Sequence, residues 1–330
     1  MFENYPWYDK LPKEELEVCE ENLELFFETM EERQNVWKKR FIDKQSAPWT
    51  NNPILRDYKF TNVYRDLDNN SQWQIKNIIL DDKLSLKDYI WKIMVFRYFN
   101  QPLTFEYAKI TYGWRNGIPS YDQYNEDEFA EMIQGVRDSG GNPFTNAYFI
   151  NSLAAPGKTR DYCYTRLVIP HLHKNLVNLI RVIVSAKYPE EIIAYLNTFP
   201  SVSDFIAHEF YQDLTYIAKY TDRKIMKFDQ NDFTNVGPGA SLGIRLIFPS
   251  LKGNEQKQAI YYLKELAEEY LSKNMNYLHW NKETSKYEIT NKCNITLHQI
   301  EMWLCEFQKY WKMSIGDGRQ RSKFKPRTKK

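Results

Sequence analysis

The stretch from Pro12 to Arg40, PKEELEVCEENLELFFETMEERQNVWKKR, sets the fold class that we expect. Its apolar residues recur with the three- and four-residue spacing of an amphipathic helix. Glutamates crowd its start, whereas Lys38, Lys39 and Arg40 lie at its end, so the side-chain charges complement the helix dipole. The stretch therefore predicts a long helix over residues 12–40.

The same helical period dominates the rest of the chain, and clusters of glycine and proline separate the helical segments. We expect further helices at Arg56–Asp66, Leu86–Phe99, Glu126–Ser139, Tyr162–Lys187, Pro189–Asn197, Ser203–Tyr220, Lys257–Lys273 and Thr296–Lys312. Alternating residues indicate at most a short β hairpin near Tyr277–Thr290. The predicted fold class is all-α.

Composition permits a sizeable core, because 42% of the 330 residues are hydrophobic and 16% are aromatic. No stretch approaches 18 uninterrupted apolar residues, and residues 1–10 lack the apolar segment of a signal peptide, so we expect no membrane association. The four cysteines are scattered without C-x-x-C spacing, which is typical of a reduced protein. We therefore expect a cytoplasmic monomer.

The last twelve residues form a basic tail. Residues 319–330 hold seven lysines and arginines and no acid, and since the whole chain has a net charge of +2, the remainder is net negative. Such a tail favours a polyanionic partner, and we expect Arg319, Arg321 and Lys323 to bind DNA phosphates. The alternative is a solvated tail without a partner.

The segment Leu196–Ala207, LNTFPSVSDFIA, resembles the L-P-G-V-G-x-x-T-A pattern of helix-hairpin-helix DNA glycosylases. In that hairpin, backbone N–H groups at a helix N-terminus hold a DNA phosphate. Ser201 and Ser203 replace both glycines, and a plain loop that ends in an N-cap Ser203 is the alternative. Phe205 stands where strand-cleaving glycosylases place a lysine, so the resemblance implies a monofunctional enzyme.

A second glycine-rich segment, Asn235–Gly243, has the sequence NVGPGASLG and precedes an apolar helix. The backbone amides around Gly237, Pro238 and Gly239 can hold a phosphate. The alternative is an ordinary turn that begins a helix.

Three aspartates are candidates for the carboxylate that stabilises positive charge at C1′ during cleavage of an N-glycosidic bond. Asp229 and Asp232 follow the hairpin-like segment at about the distance expected from glycosylases, and Asp213 lies within an aromatic-rich helix. We rank Asp229 first. Each has an alternative role, as a cap or turn residue for Asp229 and Asp232 and as a structural ion pair for Asp213.

Three further runs resemble one phage and bacterial family, the alpha-glutamyl/putrescinyl-thymine pyrophosphorylases and helical domains of 5-hydroxymethyl-deoxyuridine DNA kinases. They are the FTNVYRDLD run at 60–68, the VGPGASLGI run at 236–244, and LCEFQKYWKMSIGDGRQRSKF at 304–324. The runs occur in order along most of the chain. The motif positions that carry over are Asn62, Arg65, Asp68, Gly237, Pro238, Gly239, Glu306, Lys309 and Arg319.

The resemblance implies a helical DNA glycosylase-like fold that acts on 5-substituted pyrimidines in phage DNA. Asn62 suits the edge of a pyrimidine, because its amide both donates and accepts, and Arg65 can hold a phosphate. We therefore predict base recognition by Asn62, Arg65 and Asp68, with Lys309 as a further DNA contact. The alternative is that Asn62, Arg65 and Asp68 form a buried polar network.

These observations together predict a helical glycosylase-like domain over residues 1–318, either as one globular unit or as two lobes around a DNA cleft, followed by the basic tail. The expected function is flipping and excision of a bulky 5-modified pyrimidine from double-stranded phage DNA in anti-phage defence, without a cofactor. One alternative is a transferase that replaces pyrophosphate on an activated hydroxymethyluracil in DNA with an amine. The other is a non-catalytic DNA-binding module.

Two other kinds of site are disfavoured by the sequence. Cys163, His171 and His173 do not make a zinc site, because residues two apart face apart on a helix and a fourth ligand is lacking. The sequence also contains no G-x-x-x-x-G-K-[ST] run, the phosphate-binding loop of many nucleotide-dependent enzymes.

Overall fold

The fold was analysed in a computed structural model, which divides into two compact units. Unit 1 comprises Met1–Asp68 and Gln230–Lys330, and unit 2 comprises Asn69–Asp229. The structure describes residues 16–146, 155–271, 275–317 and 323–324. As predicted, the fold is mainly helical, and its strands in the described ranges form one two-stranded hairpin.

Unit 1 is a helical assembly with the β hairpin attached. Its elements are α1 (Glu20–Phe41), α2 (Pro53–Asp57), α11 (Pro238–Ile247), α12 (Glu255–Tyr270), β1 (Tyr277–Asn281), β2 (Lys286–Thr290) and α13 (Leu297–Ser314). The hydrophobic faces of α1, α11, α12 and α13 share one core. At its centre, the indole N–H of Trp303 donates to the carbonyl of Phe26 over 3.1 Å, so α13 is fastened to α1.

Close approach of α11 to α13 depends on two glycines one helical turn apart. A Cβ at Gly243 would lie 2.4 Å from the carbonyl oxygen of Leu304, and a Cβ at Gly239 would lie 2.8 Å from the Sγ of Cys305. The glycine-rich segment 235–243 therefore begins a helix, as its alternative interpretation held, and its glycines make room for α13.

Unit 2 is built around one helix that is buried over most of its length. Its elements are α3 (Asn69–Gln74), which continues as a π-helical turn over Ile75–Ile79, α4 (Leu86–Phe99), α5 (Pro102–Tyr112), α6 (Glu126–Asp138), α7 (Arg160–Cys163), which continues as a π-helical turn over Tyr164–Val168, α8 (Ile169–Ser185), α9 (Pro189–Leu196) and α10 (Asp204–Tyr220). Every side chain from Tyr89 to Phe99 in α4 is buried, because α8 and α10 both pack against this helix.

Several boundaries differ from the predicted ones for tertiary reasons. The first helix begins at Glu20, and residues 16–19, which were also predicted to be helical, lie outside it, because the N–H of Cys19 donates to the carbonyl of Ile247. Residues 12–15 lie outside the described ranges. Helix α5 was not predicted, whereas the β hairpin was predicted over its full extent.

The helix predicted at Arg56–Asp66 is wrong. Asn52 caps the short helix α2, which ends at Asp57, and the chain then runs without helical structure until a single 3₁₀ turn at Arg65–Leu67. Hydrogen bonds to distant residues hold the backbone there, including the one from the N–H of Thr61 to Glu306. Long-range acceptors thus replace the local helical bonds.

The hairpin-like segment is a helix, a tight turn and a second helix, as expected. Helix α9 ends at Leu196, and α10 begins after Ser203. Ser201, at the first glycine position of the pattern, adopts a φ of +62°, the left-handed conformation that favours glycine. The turn geometry is thus present although serine replaces glycine.

One helical run in the described part of the chain, Arg160–Ser185, is long and apolar enough to cross a membrane by length and composition. Core helices of proteins without membrane spans pass the same test, and Leu172, Leu176 and Leu179 of this run are buried within unit 2.

Candidate functional site

The FTNVYRDLD run folds around one carboxylate in unit 1. Asp68 accepts hydrogen bonds from the backbone N–H and side-chain Nδ2 of Asn62, over 3.1 and 2.8 Å, and from Nη1 of Arg65 over 2.7 Å. Burial raises the pKa of Asp68, although Arg65 and the N–H of Asn62 act against this rise. The three residues predicted to recognise a base therefore form the polar network that was the alternative interpretation, and base recognition by them stays a prediction.

Arg33 of α1 joins this network, and sequence reasoning missed it. Its Nη2 donates to Oδ1 of Asn62 over 2.6 Å and to the carbonyl of Phe60 over 3.3 Å. Burial lowers the pKa of Arg33 to about 10, against the opposing influence of Asp68 and Glu306. The signal in the sequence was an arginine that directly follows two glutamates, seven positions before Arg40 at the basic end of the helix.

Helix α13 closes the network from the other side. Glu306, which is buried, accepts from the N–H of Thr61 over 3.3 Å and from Nζ of Lys309 over 2.6 Å. The structure thus brings together the family positions Asn62, Arg65, Asp68, Glu306 and Lys309. The longest connection is between Thr61 and Glu306, which are 245 positions apart in the sequence.

Tyr64, in the middle of the same run, holds the β hairpin. Its hydroxyl donates to Oδ1 of Asn294 over 2.6 Å and accepts from the N–H of Leu278 over 3.2 Å. Nδ2 of Asn294 in turn donates to the carbonyl of Leu278 over 2.7 Å. One buried hydroxyl therefore connects the motif to β1.

We expect Tyr64→Phe to lower the free energy of unfolding by about 1–3 kcal/mol, because a buried N–H and a buried amide oxygen lose their partner. Urea denaturation measures the change, and Tyr58→Phe in the same unit is the matched control, since Tyr58 is partly exposed. Equal midpoints for the two variants would show that the hydroxyl of Tyr64 contributes nothing to stability.

Unit 1 also contains an acidic groove. The cavity has a volume of about 510 Å³ and is lined by Glu28, Glu31, Glu32, Asn35, Lys39, Trp49 and Tyr270. Glu28, Glu31 and Glu32 share a face of α1 through their three- and four-residue spacing. Sequence reasoning interpreted only the acids at the start of this helix and therefore missed the groove.

Hydrogen bonds hold the walls of the groove together. Glu32 accepts from the hydroxyl of Thr50 and, over 3.4 Å, from Nδ2 of Asn52, which also donates to the hydroxyl of Tyr310 over 2.8 Å. Nζ of Lys39 donates to the carbonyl of Trp49 over 3.1 Å. The groove is therefore linked to α13, the helix that carries Glu306 and Lys309.

The predicted DNA contacts occupy different places. The N–H of Gly237 donates to Oε1 of Glu301 over 3.3 Å, so a phosphate there would have to displace a carboxylate. Lys323 forms a backbone bridge with Tyr58, whereas Arg319 and Arg321 lie outside the described residues. Phosphate binding by Gly237, Pro238, Gly239 and these basic residues stays a prediction.

Ser201 and Ser203 lie in unit 2, away along the chain from the motif network. Ser203 is the residue before α10, and among the described residues its side chain makes no capping hydrogen bond. Asp204, the first residue of α10, accepts instead from Nδ2 of Asn197 over 2.6 Å. DNA binding by the two serines also stays a prediction.

The three candidate aspartates differ in burial and in the unit to which they belong. Asp213 is fully buried in unit 2, where Nε of Arg97 donates to Oδ2 over 2.7 Å and Nη2 donates to Oδ1. Burial raises its pKa, with Arg97 and Gln74 acting in the opposite direction. Asp229 is exposed at the end of unit 2, and Asp232 belongs to unit 1.

The described residues contain no candidate metal site, because no group of three or more histidine, cysteine, aspartate or glutamate side chains among them is arranged to hold an ion. The four cysteines are free thiols.

Comparison with known proteins decides the family. The model of the family described as "5-hmdU DNA kinase, helical domain" matches residues 20–320. This chain belongs to that helical-domain family. The similarity predicted from the three sequence runs is thereby confirmed.

A curated relative of this helical-domain protein is the 5-hmdU DNA kinase of Bacillus phage SP10. The two are 26% identical over 304 residues, which cover 87% of this chain and 44% of the kinase. The chain thus spans less than half the length of this relative. No solved structure gives a significant match.

These matches correct the predicted enzyme class. The relative is named a kinase, which is a transferase, and the expectation of a DNA N-glycosylase, a hydrolase, is therefore wrong. The argument that assigned Asp229, Asp213 and Asp232 rested on cleavage of a glycosidic bond, so it no longer supports a catalytic role for them. The hairpin resemblance was misleading because a helix–turn–helix is common to many helical folds.

Proposed function

We propose that this chain binds DNA that contains 5-hydroxymethyldeoxyuridine and takes part in group transfer at the hydroxymethyl group of that base. The observation that carries the proposal is the match to a 5-hmdU DNA kinase along 87% of the chain. The named substrate of that relative is a hydroxymethylated base in DNA, and a helical region shared with it is a reasonable place for recognition of that base.

The coverage of the relative and the sequence together indicate which step we assign to this chain. The chain spans 44% of the kinase and contains no G-x-x-x-x-G-K-[ST] run. We therefore assign to it the binding of DNA and of the modified base, and we assign the nucleotide-dependent step to a partner segment or polypeptide. The FTNVYRDLD network is our candidate for the base-binding part, because its side chains both donate and accept hydrogen bonds.

A second candidate is transfer of an amine to the same base. Its nitrogen would attack the 5-methylene carbon of an activated hydroxymethyluracil, the bond from that carbon to the pyrophosphate oxygen would break, and the nitrogen would lose a proton. The acidic groove favours this candidate, since Glu28, Glu31 and Glu32 attract an alkylammonium ion and Trp49 and Tyr270 supply aromatic walls.

The test for base recognition compares two duplexes that differ only in one central base, thymine or 5-hydroxymethyluracil. We expect roughly tenfold tighter binding to the hydroxymethylated duplex by fluorescence anisotropy, because a site that pairs the hydroxyl leaves buried groups unpaired with thymine. Equal affinities at the same salt concentration would contradict base recognition by this chain.

The test for the reaction uses mass analysis of nucleosides after incubation with hydroxymethylated DNA and ATP, or with pyrophosphorylated DNA and a diamine. A phosphorylated base in the first reaction would place the kinase step in this chain itself. An aminomethylated base and released pyrophosphate in the second would support amine transfer. Unchanged nucleosides in both, together with preferential binding, would leave recognition as the role of the chain.

A further inference from the structure

We propose that Arg33 and Lys309 of unit 1 form a binding site for a phosphate-type oxyanion beside the Asn62–Asp68 network. The proposal goes beyond the function above, because it holds whichever group is transferred to the base. It rests on the donors that Arg33 leaves unused, on the charge balance of the cluster, and on the exposure of Lys309.

Arg33 is a half-buried guanidinium that is held only by neutral acceptors. Its Nη2 donates to the amide oxygen of Asn62 and to the carbonyl of Phe60. Within the ranges that the structure describes, its Nε and Nη1 meet no acceptor. A guanidinium has five N–H donors in a planar fork, so an edge remains for a ligand with two oxygens.

The five ionisable side chains that the hydrogen bonds of the network connect include one more cation than carboxylate. Arg33, Arg65 and Lys309 supply three cations, whereas Asp68 and Glu306 supply two carboxylates. Arg40 adds further positive potential at Arg33. Since the desolvation of a guanidinium is compensated best by a charge-assisted hydrogen bond, an oxyanion is a suitable partner for the N–H groups of Arg33 that Asn62 and Phe60 do not use.

The exposed side chain of Lys309 gives a ligand in solution access to the cluster. Its side chain is 54% exposed, whereas Glu306, to which it donates over 2.6 Å, is buried and also acts electrostatically on Arg33. Glu306 thus connects the half-buried cation Arg33 to the exposed cation Lys309. A phosphate that enters beside Lys309 would meet a second cation in Arg33.

Two sources offer this chemistry, a phosphodiester of DNA and a free or base-linked pyrophosphate. The experiment uses inorganic pyrophosphate and an unmodified 20-base-pair duplex as separate probes, with the full chain and calorimetric titration for both. The variants are Arg33→Lys, which keeps one charge and a donor for Asn62 but lacks the planar fork, and Lys309→Gln, which changes an exposed side chain. The matched control is Lys312→Gln on the same helix.

We expect at least tenfold weaker binding of one probe to Arg33→Lys and about three- to tenfold weaker binding to Lys309→Gln, with Lys312→Gln within about twofold of wild type. Loss of pyrophosphate binding alone identifies a free or base-linked pyrophosphate. Loss of duplex binding, with a salt slope reduced by about one, identifies a DNA phosphate.

Circular dichroism of each variant checks folding, and Lys309→Gln keeps the test decisive if Arg33→Lys does not fold. The proposal is overturned if both probes bind the folded variants as they bind wild type. It is also overturned if Lys312→Gln loses as much affinity as Lys309→Gln, because the effect would then be a diffuse attraction of the surface for anions.

Discussion

Replacing Arg97 with methionine will lower the free energy of unfolding of unit 2 by about 3–5 kcal/mol, the cost typical of breaking a buried ion pair. Arg97 donates to both oxygens of Asp213 and, through Nη1, to Oε2 of Glu209 over 2.7 Å. The side chains of Arg97, Asp213 and Glu209 are 5%, 0% and 8% exposed. Methionine fills similar space but leaves two buried carboxylates facing each other without the guanidinium.

The loss of stability caused by Arg97→Met will be smaller at lower pH. Burial already raises the pKa of Asp213 in the folded protein, and removing Arg97 removes the main influence that opposes the rise. As the pH falls, a carboxyl whose pKa is raised in the folded state takes up a proton at a higher pH than the same group in the unfolded chain. The destabilisation is therefore complete above the folded-state pKa of Asp213, and it shrinks as the pH falls from there toward the ordinary pKa of aspartate. Arg97→Met will therefore be less destabilising at pH 5 than at pH 7.5.

Hydrogen exchange of peptides from α4 and α10 measures the effect within unit 2. Arg137→Met is the matched control, because Arg137 also contacts a carboxylate through two N–H groups, at 2.8 Å each to Asp161, but on the surface. We expect that control to cost less than about 1 kcal/mol. Similar losses for the two variants, or a loss for Arg97→Met that does not change with pH, would contradict the importance of the buried pair.

Gly243→Ala is expected to destabilise unit 1 by about 2–4 kcal/mol. The added Cβ would lie 2.4 Å from the oxygen and 2.9 Å from the carbon of the Leu304 carbonyl, so two helix backbones would have to separate. In an unconstrained helix, replacing glycine with alanine stabilises by up to about 1 kcal/mol. A decrease in the free energy of unfolding would therefore show that close packing against α13 outweighs the helix preference of alanine.

Gly239→Ala is the informative comparison, because the nearest atom there is the Sγ of Cys305, at the end of a side chain that can rotate. We expect about 1 kcal/mol or less for Gly239→Ala, measured by hydrogen exchange of α11 and α13. A mild effect of Gly243→Ala on stability would contradict the packing role of Gly243.

The predicted glycosylase activity shows how a local pattern can be present while the reaction attached to it is wrong. Ser201 does adopt the left-handed turn that the hairpin pattern requires, and α9 and α10 flank it as expected. A turn between two helices satisfies backbone geometry and does not specify a reaction. The order of the three longer runs along the chain was the stronger signal, and it led to the correct family.

The sequence by itself determined the elements whose cause is local. The period of apolar residues located α4 at Leu86–Phe99 and the alternation of residues located the hairpin over 277–290, because each depends on neighbours a few positions apart. Only the tertiary structure decided the polar clusters. Arg33 meets Asn62 across 29 positions, Arg97 meets Asp213 across 116, and Thr61 meets Glu306 across 245. Such pairs form because packing brings distant backbones together and burial then requires each polar group to find a partner, a requirement that no local period records.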